Sequence, residues 1–159
     1  IHYGKQSGGK FLLTTAALEC PAGEGGSVFL QKNMDQYAEL TRTIIGAAME
    51  VHNYWGPGLI ESIYEKSLAH ELALRNIKVK RQVKLRLKYK DLELGDDYTL
   101  DLIADGKVIV ELKVVKELAP IHEAQLMTYM KLTECRVGLL INFNVVKLKD
   151  GIRRLSLSN

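Results

Sequence analysis

From Asp35 to Trp55 the apolar positions step by threes and fours: Tyr37, Leu40, Ile44, Ile45, Ala48, Val51, His52 and Trp55 fall on one side. That spacing predicts an amphipathic helix. Gly56-Pro57-Gly58 stops it. A second helix should run from near Leu59 to about Asn76, an asparagine suited to a left-handed cap. The pattern then turns to alternation, predicting strands over roughly 78–90, 92–104 and 107–115, punctuated by Asp91 and by Gly95 to Asp97. Pro120 fits the first turn of a third helix that reaches about Glu134. Arg136 to Asn142 reads as a buried strand, and Val145–Leu148 with Ile152–Leu157 as a terminal hairpin around Asp150-Gly151. No internal repeat is visible.

The alternation matters most between Asp101 and Lys113. Side chains on a strand alternate in direction, so Glu111 and Lys113 share a face. A two-residue turn at Asp105-Gly106 would pair Asp101 with Val110 and send Asp101 to the other face. A three-residue loop, Ala104-Asp105-Gly106 with Gly106 left-handed at a bulge, pairs Ile103 with Lys107 instead. Asp101, Ile109, Glu111 and Lys113 then point the same way, and this odd-length loop is the one predicted. The other face reads Leu100, Leu102, Ala104, Val108, Val110, Leu112 and Val114, all apolar, so helices must cover it. Two carboxylates and a lysine on a hairpin with a core back suit a metal-dependent phosphodiesterase. The plainer alternative is a solvated strand face with a Glu/Lys surface pair.

Composition changes the picture little. A chain of 159 residues with 47% hydrophobic and 26% charged content is one soluble globular domain with room for a core. The net charge of +3 is a weak guide to partners, but its distribution is uneven. Lys84, Arg86 and Lys88 lie within a basic run from Lys78 to Lys90, interleaved with Val83, Leu85, Leu87 and Tyr89. Such a strand has one basic face that could neutralise phosphates, or it is an edge strand guarded by lysines. Cys20 and Cys135 are far apart without metal-ligand spacing, which suggests neither a disulfide framework nor a zinc site and fits a reducing cytosol. No apolar run reaches transmembrane length. Residues 1–33 begin at Ile1, carry glycine-rich patches and read as a leader outside the fold, with the domain over 34–159. The run Phe11 to Leu18 has no convincing signal-peptide cleavage site, because Glu19 and Cys20 follow it.

Two helices add polar candidates. Glu61 and Tyr64 are three apart on the second, and Glu61 in a first turn is also ordinary dipole compensation. On the third, His122, Gln125 and Tyr129 form one polar stripe that could hydrogen-bond a phosphate, position a water or hold the lysine. Alone it reads as an amphipathic boundary. His52 should pack at the end of the first helix and donate a hydrogen bond, and Trp55 should anchor the core, with base stacking as its alternative. Gly23-x-Gly-Gly26 lacks the following helix and Gly-Lys-Ser/Thr of a phosphate loop, and Ser62 and Ser67 have no visible base.

Together these residues resemble a known family. Gly58-Leu-Ile-Glu61-Ser-Ile-Tyr64 resembles the signature of the GxxExxY proteins, and the downstream part resembles the PD-(D/E)XK nuclease superfamily to which they are assigned. The resemblance covers Met34 to Leu155. It includes Val51-His52, Trp55-Gly-Pro-Gly58, Tyr98-x-x-Asp101, Glu111-x-Lys113, His122-x-x-Gln125 and Gly138-Leu-Leu-Ile-Asn-Phe143. It implies an α/β restriction-endonuclease-like core, a mixed sheet flanked by helices. Asp101 and Glu111 would bind Mg²⁺ or Mn²⁺ with the Leu112 carbonyl, and Glu61 would complete the acidic cluster. Lys113 would orient or deprotonate the attacking water and stabilise developing charge. Gln125 and Tyr129 resemble the helical Gln-x-x-x-Tyr motif of exonuclease-like branches, and Gly58, Tyr64 and His122 belong to the matched motifs. Leu100 stands where the literal Pro of the superfamily name would be. The expected protein is a metal-dependent nuclease with nucleic acid as its partner, DNA ahead of RNA, away from membranes and with a second copy or a protein partner to extend its grip. The cysteine usage places it in the cytoplasm. The alternative is a non-catalytic nucleic-acid-binding or protein-interaction module that keeps the fold.

Overall fold

The computed structural model describes residues 27–157, with side chains from 36 onward apart from 96 and 97. Cys20, the Gly23–Gly26 patch and residues 1–26 of the leader lie outside the described residues. Helix α1 spans Ser27–Trp55, so it begins upstream of Asp35. No glycine or proline interrupts 27–45, and a helix continues until something stops it. What stops α1 is Gly56, at φ 66. Helix α2 spans Glu61–Leu74. Asn76 takes the left-handed conformation foreseen for it, at φ 61, and the Ile77 N–H returns to the Leu72 carbonyl at 3.0 Å.

Strands β1 (Val79–Tyr89), β2 (Leu92–Ala104) and β3 (Val108–Lys113) form an antiparallel meander. Helix α3 (Pro120–Thr133) then crosses over, so that β4 (Val137–Asn142) lies parallel to β3. Strand β5 (Ile152–Ser156) returns antiparallel to β4 and completes a five-stranded mixed sheet in the order β1-β2-β3-β4-β5. The terminal hairpin does not form. Leu148–Gly151 is a short 3₁₀ turn, and β5 takes its partner from the buried strand β4 rather than from Val145–Leu148. Among the described residues, no helix is long and apolar enough to cross a membrane.

Helices cover both faces of this sheet. On one side α1 and α2 bring Ile44, Ala47, Val51, Tyr64, Leu68 and Leu72 against Leu102, Val110, Leu112, Leu139 and Ile141. Tyr64 stacks on Phe143 there, ring centroids 4.5 Å apart. On the other side α3 brings Leu126, Tyr129 and Met130 against Leu100, Ile103, Ile109 and Leu140. Gly138 lets it come that close, because a Cβ at 138 would sit 2.8 Å from both Leu126 Cδ1 and Met130 Sδ. Each large side chain buried this way contributes about 1.5–3 kcal/mol.

Two details of the β1–β2–β3 meander correct the sequence reading. The loop between β2 and β3 does have odd length, but Ala104 pairs with Val108 and the loop is Asp105-Gly106-Lys107, with Asp105 and Gly106 both at positive φ. Continued by one residue, that register sets Asp101 opposite Glu111. Leu100, moreover, does not share the face of Leu102. It joins the α3-side core, as Val83 does on β1, whereas Leu102 and Val79 belong to the α1/α2 side. The faces exchange at the position where Gln82 stands opposite Asp101. Gln82 has φ 48, and the pair is missing from a β1–β2 ladder that otherwise runs without a break from Val79 to Arg86. Strict alternation fails there because one left-handed residue turns the strand.

Candidate active site

Where the faces exchange, polar side chains converge. Asp101 accepts a hydrogen bond from the Leu112 backbone N–H through Oδ2 at 2.8 Å. Glu111, on the next strand, is 3% exposed, and its Oε1 pairs with Lys113 Nζ at 2.9 Å. Glu61, in the first turn of α2, approaches from the other layer, close enough to feel Asp101 and Lys113 and to hydrogen-bond the Val114 backbone. Three carboxyls thus face one ammonium.

The electrostatics follow from that count. Burial first, and then the neighbouring Asp101 charge, push the Glu111 carboxyl up to about 7 against the pull of Lys113. Glu61 and Asp101 are also raised, each first by burial. Lys113 is raised in turn, because the carboxylates around it, Glu111 foremost, outweigh its own loss of solvation. Among the described residues, one buried side-chain polar atom has no hydrogen-bond partner: Glu111 Oε2. An anionic oxygen left unpaired in a low-dielectric site is costly unless a cation meets it. Oxygen donors with surplus negative charge suit a hard divalent ion, so Asp101 and Glu111 fit Mg²⁺ or Mn²⁺ by donor chemistry. Among the described residues, no group of three or more His, Cys, Asp or Glu forms a ready-made metal cage.

Helix α3 lines the same side. Gln125 Nε2 donates to the Tyr129 hydroxyl at 2.8 Å. The Tyr129 hydroxyl is raised, mainly by burial, with Gln125 opposing and the charge of Glu111 adding to it. Gln125 is tied to Tyr129 rather than to Lys113. His122 is not brought into this cluster: its Nδ1 accepts the Ala119 N–H at 3.0 Å and so caps α3. Gly58 and Tyr64 shape the approach instead. Gly58 sits at φ 108, which favours glycine, while the buried Tyr64 donates its hydroxyl to Gly56 O at 2.5 Å and accepts the Leu59 N–H at 3.1 Å. Together they fix the loop that delivers Glu61.

His52 behaves as foreseen, donating from Nε2 to the Val145 carbonyl at 2.8 Å. Trp55 does not anchor the core. It is 46% exposed, bonded to Ser67 Oγ at 3.0 Å and set edge-on to Tyr54, because the helix end carries it past the sheet. Lys84, Arg86 and Lys88 are exposed on β1, an edge strand. Their register partners are Thr99, Asp97 and Glu93, and the exposed Glu93 opposite Lys88 offsets part of the stripe. Tyr98 joins this arm to the site, its ring 6.1 Å from that of Tyr129.

Sequence reasoning missed four residues here. Glu65, 5% exposed, accepts from Arg81 Nε at 2.8 Å and from Gln82 Nε2 at 2.7 Å. Asn142 stands opposite Lys113 and holds the next segment through both the N–H and the carbonyl of Val115. The only signal for Glu65 was a second acid one turn after Glu61. Nothing in the sequence pairs it with a strand sixteen residues on.

A family model described as the PD-(D/E)XK nuclease superfamily matches residues 38–155. Neither the curated proteins nor the solved structures contain a match to this chain.

Proposed function

Because the chain belongs to the PD-(D/E)XK nuclease superfamily, we propose that it hydrolyses nucleic-acid phosphodiesters at the Asp101–Glu111–Lys113 site with a divalent metal. The observation that carries this reading is Glu111 Oε2, buried and without a protein partner among three carboxyls and one lysine. Asp101, Glu111 and the Leu112 carbonyl would hold Mg²⁺ or Mn²⁺. When bound, the ion supplies Lewis-acid polarisation of the phosphate and a more acidic water. Lys113 stays an ammonium at neutral pH, since its neighbours raise it. Of its three expected roles, orienting the water and stabilising developing charge therefore suit it, and proton abstraction does not. Glu61 adds negative charge from the α2 side, where it orders the attacking water. Gln125 and Tyr129 bind the phosphate or that water from α3.

We place the protein in the GxxExxY branch on Gly58, Glu61 and Tyr64. Lys84, Arg86 and Lys88 guide the nucleic-acid backbone, DNA rather than RNA. The cytoplasm fits this substrate, and a second copy or a protein partner would extend the small grip.

The test is incubation with linear, circular and single-stranded DNA in Mn²⁺, beside Glu111→Ala. Cleavage by the parent alone supports the nuclease and shows its end or internal preference. Salt-sensitive binding by both, with no cleavage by either, moves the assignment to a binding module that keeps the fold.

A further inference from the structure

Gln82 is an unusual strand residue. It takes φ 48, a conformation that a residue with a Cβ adopts only at a cost of about 1–2 kcal/mol. It stands opposite Asp101 at the one gap in the upper β1–β2 ladder, where the sheet exchanges its faces. Its side-chain Nε2 donates to Glu65 Oε2 at 2.7 Å, and its amide is near enough to Asp101 to favour that carboxylate by hydrogen bonding. Glu65 is itself fixed: it is 5% exposed, and its other oxygen takes Arg81 Nε at 2.8 Å. Asp101 is thereby held from two directions, by the Leu112 N–H on β3 and by the Gln82 amide on β1.

We propose that Gln82 is a positioning residue of the active site: its amide bridges the Glu65 and Asp101 carboxylates and fixes the orientation in which Asp101 meets a cation. This rests on the metal-site reading above. The residue type fits the task. A primary amide has two N–H donors and no charge, so it can serve two carboxylates at once without neutralising either. A lysine or arginine in its place would compete with the cation for Asp101. A carboxylate would add a third negative charge to the pair. The Arg81–Glu65 ion pair is the post to which the amide is tied, and its Glu65 carboxylate is near enough to raise both Glu61 and Asp101.

Outer partners of metal-ligating carboxylates are worth about 10–100-fold in metal affinity. The experiment is Mn²⁺ titration by calorimetry of the full chain, Gln82→Ala and Asp101→Asn, with melting temperatures for both variants and for Q82A/D101N. The expected result is Mn²⁺ affinity weakened on the order of 10–100-fold in Q82A, and a double variant that melts close to D101N alone. A residue that merely supported the strand would lower the melting temperature and leave affinity untouched. Q82A binding Mn²⁺ as tightly as the parent overturns the inference. If the parent binds no Mn²⁺, the metal reading of the proposed function falls instead. The melting data then decide: additive losses overturn the Gln82–Asp101 bridge, and non-additive losses support it.

Discussion

At Glu111, one carboxylate oxygen is met by Lys113 and the other, buried, accepts no hydrogen bond from any described residue. Its carboxyl is raised from 4.5 to about 7, so between those values the folded chain keeps a proton that the unfolded chain releases. Stability of the metal-free protein therefore falls as pH climbs from 4.5 to about 7 and levels off above it. An upper bound for this loss is on the order of 3 kcal/mol. Glu61 and Asp101 act in the same direction. Melting temperatures across that range should show the fall, Glu111→Gln should flatten it, and Mn²⁺ should restore stability at pH 8. A parent profile that rises through this window would contradict the burial argument. Lys113→Ala leaves Glu111 with no cation beside it. It should lower cleavage by about 10²–10⁴-fold and lower the pH 8 melting temperature, both read on one preparation.

At the scale of elements, two contacts set where the site's side chains stand. Tyr64 ties α2 to the Gly56–Leu59 loop through two hydrogen bonds and stacks on Phe143. Tyr64→Phe keeps the stack and loses both bonds, which should cost about 1–2 kcal/mol in urea unfolding without abolishing metal binding. Complete loss of Mn²⁺ affinity would instead give the hydroxyl a part in the chemistry. Gly138 sets the depth of α3. Its missing Cβ would meet the flexible ends of Leu126 and Met130 rather than backbone, so Gly138→Ala should cost about 1–3 kcal/mol. Adding Leu126→Ala should recover less than that, because it opens a cavity of its own.

Over the whole molecule, the long β1–β2 arm projects past the short β3, which pairs with β2 only over Leu102–Ala104. Its basic stripe was legible in the sequence, but its acidic register partners were not. Log affinity for duplex DNA should fall with log salt, and replacing Lys84, Arg86 and Lys88 by alanine should reduce that slope by no more than about 3. Glu93 stands opposite Lys88, so the change should lie below that ceiling. An unchanged slope would remove the arm from the nucleic-acid interface.

Periodicity alone determined most of the elements, namely three helices, the three strands of the meander and the buried strand β4, since spacings of 3.6 and 2 are local properties of the chain. That β4 runs parallel to β3 is a tertiary fact. Spacing also placed Glu111 beside Lys113, and the motif order brought in Glu61, Gln125 and Tyr129. Tertiary structure decided the rest. The terminal hairpin lost to β5 because β4 offered a buried edge. Leu100 changed face because Gln82 is left-handed, which no alternation rule anticipates. Tyr64, Gly58 and His122 became supports rather than reactive groups through bonds to backbone that only the folded chain brings near. Glu65, Arg81 and Gln82 became a network for the same reason: a helix and a strand meet there, and sequence distance carries no information about that meeting.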